Sequence, residues 1–120
     1  MIAAIISYYL NGKALMFIGE NAVTYGAPVV EEISKTGLAL LFGGNILFSH
    51  VVFGTVEALY DIIKNRGMLS YTAGVTSLIS HAVFGIITVY AGSFFFGPIS
   101  GIATAIAAHM LWNRIIIILE

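Results

Sequence analysis

The sequence predicts an all-α fold: a polytopic transmembrane helical bundle of four core helices preceded by one or two N-terminal helices. Three observations carry this. Hydrophobic residues make up 59% of the chain and charged residues only 9%, against roughly 25% charged in an ordinary soluble domain, and the mean hydropathy is +0.99. The apolar runs are continuous rather than alternating, which disfavours a β-barrel. Breaks rich in Gly, Pro and Asn then cut those runs into helix-sized pieces, so that 120 residues hold about four spans of ~20 residues plus a partial one. Residues 1–120 read as a single transmembrane domain, with a motif-bearing core at 28–119.

The breaks fall at Asn11-Gly12, Gly26-Ala-Pro28, Gly43-Gly44-Asn45, Lys64-Asn-Arg-Gly67 and Gly97-Pro98. Residues 1–11 and 13–26 are apolar apart from Lys13 and Glu20, and form one interrupted helix or two. The opening Met1-Ile-Ala-Ala-Ile-Ile has no basic stretch before it and reads as a membrane segment rather than a secretory signal. Pro28 suits a first helical turn, where its missing N–H costs nothing, so a helix is expected from Pro28 to Phe42. The next three are expected at Ile46 to Ile63, Leu69 to Phe95 and Pro98 to Leu119. Gly74, Ser77, Ser80, Gly85 and Gly92, then Gly101, Ala105 and Ala108, let helices approach closely.

Composition also excludes functions. With no cysteine there is no disulfide or thiolate chemistry, and any metal must be held by His, Asp or Glu. A net charge of -1 gives no basic footprint, so no nucleic-acid partner is expected. The expected partners are the lipid bilayer, a membrane protein or peptide substrate, and a second copy of the chain in a homo-oligomer. Lys64 and Arg66, with Arg114, place their side of the bundle in the cytoplasm by the positive-inside rule.

The polar residues inside the apolar runs point to function. With Pro28 at the membrane surface on the Lys64 side, Glu31 and Glu32 lie ~5 Å in, Glu57 ~10 Å, His81 ~18 Å, His109 ~16 Å and Asn113 ~10 Å, at 1.5 Å per residue. Glu31 and Lys35, and His109 and Asn113, are four apart and share a helix face. His50 falls on a stripe with Glu57 and Asp61, but at ~20 Å it reads as structural rather than part of the same site. Taken singly these residues have ordinary explanations: Glu31 and Lys35 as an intrahelical ion pair, His81 and His109 as hydrogen-bonded packing residues. Together they converge from four helices, and ionisable groups in a hydrocarbon layer persist only when paired or lining a wet cavity. Carboxylates facing imidazoles can take a proton from water, while an amide or protonated imidazole stabilises an oxyanion; the same groups could hold a divalent metal.

The residues also carry a resemblance. Val30-Glu31-Glu32-Ile33-Ser34-Lys35 resembles the Glu-Glu-x-x-Lys motif of the PrsW family of intramembrane proteases, in the CAAX-prenyl-protease and bacteriocin-processing superfamily. Phe53-Gly-Thr-Val-Glu57, Ser80-His81-Ala82-Val-Phe84-Gly85 and Ala108-His109-Met-Leu-Trp112-Asn113 are similar to its other segments, in family order and one per helix. Gly54 stands where Ala is usual. The resemblance implies an endopeptidase that cuts a membrane-embedded or membrane-proximal substrate. In it Glu31, Glu32 and His81 would activate water, His109 and Asn113 would form the oxyanion site, and Glu57 and Lys35 would support them. It implies no cofactor in its favoured metal-free glutamate form; a divalent metal such as zinc, if used, would take Glu31, Glu32, His81 and His109. Two rivals stand beside the protease: a non-catalytic, chaperone-like scaffold subunit of the same fold, and a small proton- or cation-coupled transporter.

Overall fold

A computed structural model describes residues 1–94 and 96–119. Phe95, where the sequence predicts the helix from Leu69 to end, and Glu120 lie outside the described residues. The described chain is all-helical: α1 (Ile2–Ile18), a π turn (Ala22–Gly26), α2 (Ala27–Leu41), α3 (Ile46–Lys64), α4 (Met68–Gly92) and α5 (Pro98–Leu119). α1 runs unbroken through Asn11-Gly12, so the N-terminal region is one helix, followed by the π turn. Inside an apolar run a lone Asn-Gly pair costs too little to stop a helix whose neighbours all favour it.

The ends of α3 and α5 follow local chemistry. Asn45, in extended backbone, accepts the N–H of Phe48 at 2.9 Å and so caps α3. At the start of α5 the Ser100 hydroxyl accepts the N–H of Phe96 at 3.1 Å. α3, α4 and α5 have 19, 25 and 22 residues and are long and apolar enough to cross a membrane, whereas α2 has 15 and α1 has 17.

The π turn changes where α2 begins. Ala27 donates its N–H to the Ala22 carbonyl, five residues back. In that register the donor next due, for Val23, is Pro28, which has none. Widening the turn also relieves the clash of the Pro28 ring with the preceding carbonyls. Val23 is satisfied instead from α5, where Asn113 Nδ2 donates to its carbonyl at 2.9 Å. Asn21 and Gly26 already have right-handed helical backbone, so helical chain precedes Pro28 and the proline does not mark a surface start.

The helices pack in sequence, α2 against α1 and α3, α3 against α4, α4 against α5, and α2 also meets α5. α3 and α4 cross closely because each offers a glycine to the other's histidine. A Cβ at Gly85 would lie 2.9 Å from the His50 Cβ, and one at Gly54 would lie 3.0 Å from the His81 Cβ. The distribution of polarity is inverted relative to a soluble domain. Glu31, Glu32, Lys35, His50, His81 and His109 are buried, while Phe17, Leu41, Ile63, Leu69, Phe96 and Ile99 are well exposed. An apolar exterior around a polar core suits a lipid surround.

Candidate functional site

The buried side chains of Glu32, Lys35, His50, His81 and His109 form, with Glu57, one connected network on α2, α3, α4 and α5. Glu32 is its hub, and with Lys35 and His50 it is 0% exposed. Its Oε1 accepts from Lys35 Nζ at 2.7 Å and from His109 Nδ1 at 2.9 Å, and its Oε2 accepts from His50 Nε2 at 2.8 Å. Lys35 Nζ also reaches His81 Nδ1 at 2.9 Å. An ammonium only donates, so His81 Nδ1 accepts, and the ring proton lies on Nε2, which donates to Glu57 Oε2 at 2.6 Å. Glu57 Oε2 also accepts from the Ser77 hydroxyl at 2.7 Å.

His50 therefore belongs to this cluster, contrary to its expected structural place apart from it. Depth reckoned from a helix start at Pro28 put Glu32 far shallower than His50 and His109. The helical π turn carries α2 in before Pro28, and Glu32 hydrogen-bonds to both histidines.

Glu31 differs from Glu32. Its Oε1 accepts from Asn11 Nδ2 on α1 at 3.0 Å. Its Oε2 is buried and hydrogen-bonded to no described protein group, with His109 Nε2 at 3.8 Å and Lys35 Nζ at 3.9 Å. Glu31, Glu57, His81, His109, Trp112 and Asn113 all line a cavity of about 1500 Å³ that opens between α1 and the α3–α5 layer. Aromatic rings floor the site: Phe84 stacks on His109 at 4.5 Å between centroids, and Phe53 lies edge-on to His81 at 5.1 Å with Lys35 Nζ 4.5 Å above its ring. These are the two phenylalanines of the Phe-Gly and Phe84-Gly85 segments.

Of the residues expected at the site, Glu31, Glu32, Lys35, Glu57, His81 and His109 are brought together. Asn113 is near but not in the network, because its amide is used on the Val23 carbonyl. Asn11 joins the site and had no signal in the sequence beyond an apparent turn.

Glu31, His81 and His109 can each present a ligand atom within 4.8 Å of the others, a spacing compatible with one cation. Glu31 Oε2 and His109 Nε2 are available for it. Both ring nitrogens of His81 are engaged, one of them by the Lys35 ammonium, and all the hydrogen bonds of Glu32 go to side chains. A divalent ion would have to displace Lys35 or Glu57 from His81 and stand close to a fixed positive charge, so the donor set fits a metal poorly. No family model matches the sequence, and neither a curated protein nor a solved structure matches it.

Proposed function

We propose that the protein is an integral, multi-pass membrane endopeptidase of the PrsW type, which hydrolyses a peptide bond of a membrane-embedded or membrane-proximal protein with a water activated by Glu31. The observation that carries this reading is the free Glu31 Oε2, buried beside His109 at the wall of a cavity large enough for an extended peptide. The four motif segments contribute Glu31, His81, His109 and Glu57 to one place, which supports the same reading.

Roles follow from what each group has left to offer. Glu31 Oε2 is the base, because among the described carboxylates it is the buried oxygen with no donor already on it. Glu32 and Lys35 are positioning residues: Glu32 orients the His109 ring through Nδ1, leaving Nε2 towards the cavity, and Lys35 sets the tautomer of His81. His109, as an imidazolium with Nδ1–H held by Glu32 and a second proton on Nε2, donates from Nε2 to the oxyanion formed on the scissile carbonyl. Asn113 can assist only after releasing Val23, so it is the weaker of the two oxyanion donors. The Lys35 ammonium supplies fixed positive charge to the site, and the reaction needs no metal.

The test is cleavage of a peptide with one transmembrane segment by protein purified into lipid, for the wild type and for Glu31→Gln. Cleavage by the wild type alone supports the reading; equal cleavage by both removes Glu31 as the base. One observation favours the transporter as a second reading: Ser77, Glu57, His81, Lys35, Glu32 and His50 form an unbroken hydrogen-bonded chain. Proton-driven flux in liposomes without proteolysis would select it.

A further inference from the structure

The proteolytic reading draws on no residue of α1, yet α1 reaches the base directly. A carboxylate oxygen only accepts, so the bond from Asn11 Nδ2 to Glu31 Oε1 fixes which way the amide faces. Asn11 Oδ1 then points away from that bond, and it is buried with no hydrogen bond to a described protein group. Glu31 Oε2, the other oxygen of the carboxylate that accepts this bond, is in the same condition. Both side chains line the cavity.

Two buried acceptors flanking one hydrogen bond are costly unless a donor meets them. The neighbouring cation cannot serve both, since Lys35 Nζ is 3.9 Å from Glu31 Oε2 and already donates to Glu32 and reaches His81. A molecule with two donor hydrogens and little bulk answers the arrangement, and water is that molecule.

We propose that α1 completes the site, with Asn11 Oδ1 and Glu31 Oε2 together holding the water that attacks the peptide carbonyl. One water hydrogen faces Glu31 Oε2 and the other Asn11 Oδ1, which turns an oxygen lone pair towards the cavity. As that lone pair forms the C–O bond, the first hydrogen passes to Glu31 as a proton and the carbonyl π electrons move onto oxygen, opposite His109 Nε2. The second hydrogen stays on the new hydroxyl, still directed at Asn11. Collapse of the tetrahedral intermediate breaks the C–N bond, and the Glu31 proton goes to the leaving nitrogen. What the water does rests on the proteolytic reading; where it sits does not.

The experiment pairs kinetics with crystallography. Asn11→Leu keeps similar bulk and removes both hydrogen-bonding atoms. In the peptide assay its kcat should fall about 10- to 100-fold, the loss expected for one hydrogen bond to a charged group, with KM unchanged and the thermal midpoint lowered by the loss of the donor to the buried Glu31 Oε1. A crystal structure of the wild-type protein that resolves ordered water should place one within hydrogen-bonding distance of both Asn11 Oδ1 and Glu31 Oε2. Asn11→Leu cleaving at the wild-type rate, or the two oxygens sharing no water, overturns the proposal. A shared water in a protein that cleaves nothing upholds the seat and sinks the hydrolytic reading. The wild-type crystal structure decides the matter even where Asn11→Leu does not fold.

Discussion

Glu31 and Glu32 are adjacent in sequence and have opposite surroundings. Consecutive residues on a helix point about 100° apart, which turns Glu32 into three donors and Glu31 towards the cavity and α1. Glu31→Gln should therefore keep the thermal midpoint in detergent close to wild type while abolishing cleavage. Glu32→Ala should do something different: it strips partners from Lys35, His50 and His109 together, and should cost about 3–5 kcal/mol of stability. A thermal melt of each variant beside its kcat checks the division; two variants equal in both measures would contradict it. That the pair matters is legible in the sequence, because two carboxylates in an apolar run need a reason. Which of them is free is not, since that depends on what α5 and α1 bring. Asn11 was hidden for the same cause: an Asn beside a Gly reads as a turn until a partner 20 residues away in sequence is seen to face it.

Among the elements, the π turn and the α3–α4 crossing position the site. Punctuation by Gly, Pro and Asn predicts the four long helices to within a few residues, and Pro28, Asn45 and Pro98 act at or near helix starts as their chemistry requires. The π turn is illegible locally, because the carbonyl it leaves without a backbone donor, that of Val23, is satisfied by Asn113 on α5. Asn113→Ala should leave that carbonyl unpaired and cost about 1–3 kcal/mol, with a smaller loss of kcat than His109→Ala. In a Pro28→Ala background, where residue 28 regains an N–H, the stability loss from Asn113→Ala should shrink; a double-mutant cycle by thermal melting measures the coupling. At the crossing, Gly85→Ala drives a methyl to within 2.9 Å of the His50 Cβ and should cost about 1–3 kcal/mol by overpacking. It should also lower cleavage, as His50 shifts against Glu32. Loss of stability with full activity would show that His50 has no part in orienting the hub.

For the whole molecule, the apolar exterior and the charged interior are two sides of one arrangement. An apolar surround could not solvate Glu32 or Lys35, and the helices do so instead: α2 packs against α1, α3 and α5 and buries its charged face, while Ile33, Leu40 and Leu41 stay exposed. Composition predicts this class outright, whereas the depth of the site needs the true start of α2. The protein should stay with membranes through alkaline washing, and elemental analysis of active protein should find no stoichiometric divalent metal. The most direct test of the central claim is cleavage of a transmembrane peptide by lipid-reconstituted wild type and Glu31→Gln, each with and without a strong chelator. The wild type should give product in both conditions and Glu31→Gln none; undiminished cleavage by Glu31→Gln would remove Glu31 as the base.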